Sequence, residues 1–211
     1  MWGGHYSRTR GYFPLAGDTT HKRRRAPRNS AEVKSVLPAS KQLFMTTFRP
    51  AVATDALVIS LLAEVSFRDT FRKDFKDPGD LDDYCRETFA YPKIKASLAK
   101  RTNHFLVLSV DGEIVGYAKL KVAESPVQLQ KIYLHSAFTG RGLGGALLAE
   151  CRRVAREYGG ERMWLAVEER NTNAIAFYRK KGFVQSSDFD FRIGSQTFHF
   201  LRMSCSLLEA P

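Results

Sequence analysis

The stretch whose residue types most directly imply chemistry is Gly140-Arg141-Gly142-Leu143-Gly144-Gly145, set between a strand pattern and a helix pattern. At such a junction free backbone N–H groups and the positive end of the helix dipole converge, so main chain alone can hold a phosphate. Glycine suits the turn because a Cβ would keep the phosphate off the backbone, and because such loops use positive φ. Gly140, Gly142 and Gly145 also have the G-x-G-x-x-G spacing of dinucleotide sites. That fingerprint opens a parallel βαβ unit, whereas an antiparallel hairpin pattern precedes this loop. A nucleoside-triphosphate P-loop is excluded as well, since no Gly-Lys-Ser/Thr closes the run. Further along lies Asn171-Thr172-Asn173-Ala174-Ile175-Ala176-Phe177-Tyr178, a helix pattern ended by Gly182-Phe183. Asn171 is typed to cap it by accepting from an N–H two or three residues on. Phe177 and Tyr178 read as core aromatics, with a further role open because their helix is paired with the phosphate site.

The surrounding pattern supplies elements to position these groups. Thr46–Arg49 reads as a short strand stopped by Pro50, and Ala53–Phe67 as an amphipathic helix through Ala56, Ile59, Leu62, Ala63 and Phe67. A second helix is expected after Pro78-Gly79 with Asp80 as its cap, and a third over Lys93–Lys100. His104–Val110 and Ile114–Val122 form a hairpin around Asp111-Gly112. Val127–Leu134 reads as a strand alternating Leu129, Lys131 and Tyr133 against Gln128, Gln130, Ile132 and Leu134. Then follow a helix over Gly145–Tyr158, a strand over Met163–Val167, a helix over Thr172–Lys181, and a closing pair, Phe183–Phe191 with Thr197–Cys205. The expected fold class is α/β in the α+β sense, a single domain with a mixed, mostly antiparallel sheet flanked by helices.

Composition narrows the function class. The chain has 211 residues, a net charge of +11 and no apolar run near the roughly 20 residues that span a bilayer. Residues 1–44 hold nine Lys/Arg against two acids, which reads as a basic, disordered tail ahead of a domain over 45–208. For that tail a nucleic-acid-binding arm, a transit peptide and an upstream-start artefact before Met45 stay open. Cys85, Cys151 and Cys205 are too few and too scattered for a disulfide framework and read as reduced thiols of a cytoplasmic protein. The basic balance suggests a polyanionic partner such as nucleic acid, a membrane surface or a phosphorylated cofactor.

Ile132-Tyr133-Leu134, Gly140 to Ala146, and Asn171-x-x-Ala174-x-x-Phe177-Tyr178 with Gly182-Phe183 together resemble the GNAT acetyltransferase superfamily, over about Thr46 to Leu207. The resemblance implies acetyl-CoA as co-substrate, no metal, and direct transfer to an amine in a ternary complex. It places cofactor contacts at Ile132, Tyr133, Leu134, Gly140, Arg141, Gly142, Leu143, Gly144, Gly145, Asn171 and Tyr178. Thr139 stands where the family motif commonly begins with Gln or Arg, so Arg141 supplies the positive charge of the loop. Backbone N–H groups of Tyr133 or Leu134 are positioned to stabilise an oxyanion, and Tyr178 to protonate the CoA sulfur.

The strand before the loop carries Gln128 and Gln130 instead of the carboxylate that many relatives use as base. Glu168 and Glu169 are the nearest alternatives, with Glu64 behind them. Phe67-Arg68-Asp69-Thr70-Phe71, Asp80-Leu81-Asp82-Asp83-Tyr84, Gly116-Tyr117-Ala118-Lys119-Leu120 and Gln130-Lys131-Ile132-Tyr133-Leu134 resemble the bacterial spermidine/spermine N-acetyltransferase type. Six acids against Lys76 and Arg86 between Asp74 and Glu87 fit a polycation; a solvated helix face fits equally. The expected acceptor is a small polyamine-like amine. A peptide or protein amine is the alternative within catalysis, and a non-catalytic acetyl-CoA-binding regulator with a nucleic-acid-binding tail lies outside it. A homodimer and a nucleic acid held through the tail alone are the remaining partner expectations, with no membrane.

Overall fold

The computed structural model describes residues 13–14, 45–123 and 125–208. The expected tail over 1–44 lies outside the described residues except for β1 (Phe13–Pro14). The chain continues through β2 (Thr46–Pro50), α1 (Ala56–Phe71), α2 (Pro78–Phe89), α3 (Tyr91–Leu98), β3 (Asn103–Val110), β4 (Glu113–Lys121) and β5 (Val127–Leu134). Then come α4 (Leu143–Glu157), β6 (Arg162–Glu168), α5 (Thr172–Lys180), β7 (Val184–Ile193) and β8 (Gln196–Ser206). The strands form one sheet in the order β2-β3-β4-β5-β6-β8-β7, with β1 alongside β5. Every neighbouring pair along that order is antiparallel except β5 and β6.

Local chemistry explains the turns. Asp111 and Gly112 both take positive φ, 50° and 88°, which gives the β3–β4 hairpin a turn matching the strand twist. Helix α2 starts earlier than expected. Asp77 caps it by accepting from the Gly79 N–H at 2.8 Å, with Pro78 in the first turn, where its missing N–H costs nothing. Asp80 instead accepts from the backbone N–H and hydroxyl of Ser195, at 2.8 and 2.6 Å, and ties the β7–β8 turn to α2.

Two apolar layers cover the sheet. On one face α4 and α5 bring Leu147, Leu148, Cys151, Val154, Ala174, Ile175 and Tyr178 onto Leu106, Leu108, Leu120, Leu129, Ile132 and Leu134. On the other, α1, α2 and α3 bring Ile59, Ala63, Phe67, Phe71, Cys85, Phe89 and Ile94 onto Phe105, Val107, Tyr117, Tyr133, Phe198 and Phe200. Cys85, Cys151 and Cys205 are free and buried.

The alternation expected in β5 fails at one point. The register with β4 shifts between Lys119 and Leu120, so Lys119 faces Lys131 while Leu120 faces Leu129, and Gln130 is the extra residue. A bulge reverses the phase of a strand. Leu129 therefore shares a face with Ile132 and Leu134, and Tyr133 lies on the opposite one.

Gly194, at φ 55°, makes the turn that Asp80 holds, and a Cβ there would fall 1.9 Å from Asp80 Oδ1. Gly194→Ala is expected to lose about 1–2 kcal/mol from its left-handed backbone, plus a displacement of the turn. Gly159→Ala, at φ 76° in open space, should lose the backbone part alone. Equal shifts of the urea midpoint in the two variants would contradict the Asp80 contact.

Candidate active site

The site begins where the sheet opens. Strands β5 and β6 pair at Val127 with Met163 and Gln128 with Trp164 only, and beyond those positions they part. On the far side of the gap, β6 stays paired with β8 through Glu168. The parted edge of β5 accepts extended chain, since Phe13 and Pro14 run parallel to it opposite Lys131 and Ile132. His135 donates its N–H to Val115 of β4 at 2.8 Å. By strand alternation the N–H groups of Ile132 and Leu134 then point away from β4, into the gap.

Beyond β5 the chain turns into α4. Gly140 and Gly142 take φ of 73° and 80°, and Gly142 is the N-cap residue with no side-chain cap bond. The N–H of Ala146 closes the first helical bond onto the Gly142 carbonyl at 3.1 Å. The N–H groups of Leu143, Gly144 and Gly145 thus precede the helical ladder and carry the positive end of its dipole. A Cβ on Gly145 would sit 3.3 Å from Lys181 Nζ. Lys181, just past α5, therefore brings a cation to the loop that sequence reading missed, because it comes from a different helix end. Arg141 rests its guanidinium over the Phe138 ring at 5.2 Å.

Asn171 caps α5 as expected, accepting from the Ala174 N–H at 3.2 Å. Tyr178 is fully buried, and its hydroxyl has no hydrogen-bond partner. Its ring packs 5.6 Å from Phe183 and 5.3 Å from Phe177. Burial holds its phenol well above the ordinary tyrosine range, so it stays protonated at neutral pH. Tyr133 and Tyr117, with ring centroids 5.6 Å apart on the other face, also keep hydroxyls that are buried and without partners.

Of the three candidate bases, Glu168 and Glu64 are engaged within the protein. Glu168 is buried and accepts from the Arg170 backbone N–H at 2.9 Å and from its Nε at 2.7 Å. Glu169 is exposed. Both line a cleft of about 490 Å³ with Lys76, Arg170, Asp190 and His199. Glu64 pairs with Arg68 at 2.9 Å, Asp82 with Arg68 at 2.6 Å, and Asp83 with Arg86 at 2.9 Å. Sequence reading counted Asp82 and Asp83 in an acidic patch, whereas the fold pairs both with cations.

Among the described residues no cluster of three His, Cys, Asp or Glu is arranged to hold a metal, and no helix is long and apolar enough to cross a membrane. Residues 65–183, more than half of the chain, match the acetyltransferase (GNAT) family. An uncharacterized N-acetyltransferase encoded in the pepI 3′ region of Lactobacillus delbrueckii subsp. lactis is 33% identical over 141 residues, 63% of this chain and 81% of that protein. A spermidine N(1)-acetyltransferase of Thermoplasma acidophilum is 25% identical over 113 residues, 51% of this chain and 70% of that protein. The crystal structure of the PaiA N-acetyltransferase from Thermoplasma acidophilum in complex with coenzyme A superposes with a TM-score of 0.66 at 20% identity, covering 77% of this chain and 99% of that one.

Arg170→Met leaves the Glu168 carboxylate buried without its cation and should lower stability by about 1–3 kcal/mol in chemical denaturation. Combining it with Glu168→Gln should cost less than the sum of the single changes; strict additivity would contradict the pairing.

Proposed function

We propose that the chain, which belongs to the acetyltransferase (GNAT) family and is an acetyl-CoA-dependent N-acetyltransferase, acts on a primary amine of a small molecule by direct transfer in a ternary complex. The observation that carries this reading is the juxtaposition of a parted β5 edge with an uncapped glycine start to α4. Acetyl-CoA supplies an activated thioester. The N–H groups of Leu143, Gly144 and Gly145 hold its pyrophosphate, with Arg141 and Lys181 adding positive charge. The β5 edge over Ile132–Leu134 takes the extended amide arm by main-chain bonding, as it takes Phe13 and Pro14. Asn171 sets the start of α5 beside this arm.

The Leu134 N–H, directed into the gap, is the donor for the developing oxyanion, while the Tyr133 N–H is turned to β4. Tyr178 protonates the departing thiolate; its partnerless hydroxyl is already desolvated and keeps its proton. For Glu168 the bond to Arg170 opposes a role as free base.

Spermidine and spermine are the first acceptors to test, on the strength of the Thermoplasma relative. The acidic stretch adds less, because Asp77, Asp80, Asp82 and Asp83 are bound within the protein. A reducing, cytoplasmic setting suits the three buried free thiols.

Thiol release from acetyl-CoA should respond to at least one small amine in a panel of polyamines, amino acids and short peptides. Response to peptides alone would reverse the substrate class, and tight acetyl-CoA binding with no amine turned over would favour a regulator. Tyr178→Phe is expected to lower turnover by about 10²-fold or more with acetyl-CoA binding little changed; wild-type turnover would remove Tyr178 from the chemistry. Gly142→Val should weaken acetyl-CoA binding at least about tenfold, because the turn needs positive φ and the phosphate needs bare backbone. Unaltered binding would contradict the loop assignment.

A further inference from the structure

We propose that Lys131 is the general base of this enzyme, its buried and partnerless Nζ taking a proton from the incoming acceptor ammonium on the α1–α2 face of β5. The inference rests on the amine-acetyltransferase reading and names the base which that reading leaves unassigned.

The geometry is specific. Lys131 follows the Gln130 bulge, opposite Lys119, and its β5 edge lies at the gap between β5 and β6. Its Nζ lies 4.6 Å from the centre of the Phe89 ring and has no hydrogen-bond partner, although the residue is only 6% exposed. The ring and the neighbouring chain exclude water, and no hydrogen bond holds the nitrogen. The alternation of β5 puts Lys131 on the face of Tyr133, one residue pair before Leu134, whose N–H points into the gap. No carboxylate is hydrogen-bonded to Lys131, so its nitrogen is the basic group of that face of β5.

The electrostatics agree with that geometry. Burial lowers the Lys131 pKa to about 7, with the Lys119 charge lowering it further and Cys85 opposing. The cross-strand Lys119, over the Phe105 ring at 5.4 Å, is itself brought to about 8. From α2, burial pushes the Cys85 thiol up to about 12 and raises Tyr84 well out of range; Tyr117 from β4 and Tyr133 from β5 are raised likewise. None of these is an anion at neutral pH. Beyond Cys85, Glu64 and Asp82 are both held by Arg68. No neighbouring negative charge therefore restores the ordinary lysine value of about 10.4.

The protons balance. Lys131 as the neutral amine takes one proton from the acceptor ammonium, and the freed lone pair attacks the thioester carbon. The C–S bond breaks as the amide bond forms. Tyr178 delivers its proton to the departing thiolate, the second nitrogen proton re-protonates the Tyr178 phenolate, and Lys131 releases its proton to solvent after the products leave. Below about pH 7 Lys131 is protonated and cannot accept, so turnover falls on the acid side.

The test compares the full chain with Lys131→Met, Lys131→Arg and Lys119→Met, using the acceptor found in the amine panel and saturating acetyl-CoA, across pH 5.5 to 9.5 on the order of the limits set by these pKa values. Both Lys131 variants should lose about 10²-fold or more in kcat, lose the acid limb near pH 7, and keep the acetyl-CoA KM. Lys119→Met removes a neighbouring positive charge, raises the Lys131 pKa and should move the acid limb to higher pH. Carbon-13 NMR of lysine-labelled protein reads the Lys131 titration directly, with Lys131→Met identifying its signal. Wild-type turnover in Lys131→Arg would overturn the proposal in favour of a charge or positioning role, and titration near 10 would overturn it independently. Should Lys131→Met fail to fold, Lys119→Met and the wild-type titration still decide. An absence of turnover with any amine would count against the amine-acetyltransferase reading, while the NMR titration would separately confirm or refute the lowered Lys131 value.

Discussion

Strands β5 and β6 hold each other through two residue pairs and then separate, and the functional half of the molecule depends on that parting. A buried strand edge carries N–H and C=O groups that must find partners. In a continuous sheet the neighbouring strand would satisfy them. Here β6 turns to β8 and leaves the β5 edge beyond Gln128 to something else, whether two residues of the same chain or the amide arm of a co-substrate. The two apolar layers keep the sheet intact on either side of the gap, so the edge is rigid before anything binds. Preorganisation of this kind lowers the ordering cost of binding.

Two consequences follow from how β5 reaches the gap. The first is the glycine turn after it, where positive φ at Gly140 and Gly142 delivers the chain into α4 without a side chain over the first N–H groups. The second is the bulge at Gln130. By reversing the phase of the strand it puts Leu129, Ile132 and Leu134 into the α4–α5 layer and turns Lys131 and Tyr133 toward α1 and α2. Backbone N–H groups without a side-chain cap thus lie at one end of the gap, and a desolvated amine with partnerless phenols lines one side. Low local dielectric strengthens each of these groups, and their lack of internal partners leaves them available to a ligand.

Much of this was legible in the residues. The Asp111-Gly112 hairpin, the bounds of Val127–Leu134, the glycine turn and the Asn171 cap each have a local cause, and the structure shows them where their chemistry puts them. What escaped were mainly non-local matters. Asp80 has the right type for a cap, yet Asp77 with Pro78 takes the role and Asp80 is held by Ser195 from the far end of the chain. Lys181 reaches Gly145 only because α5 packs beside α4. Glu168, a base candidate by type, is held by Arg170, a local contact that side-chain type alone did not reveal. Strict alternation in β5 grouped Leu129 with Lys131 and Tyr133, and only the pairing with β4 exposes the bulge. Asp82 and Asp83, read as part of an acidic patch, are ion-paired in space with Arg68 and Arg86.

In the proposed complex the backbone at the start of α4 holds the phosphates of the co-substrate while the β5 edge holds its arm. Calorimetric binding of acetyl-CoA against S-acetylpantetheine, which keeps the thioester arm and lacks the pyrophosphate and nucleotide, tests this most directly. Acetyl-CoA should bind at least about a hundredfold more tightly, a difference of about 2.7 kcal/mol, and the excess should shrink as salt is raised. Equal affinity for the two compounds would contradict the account.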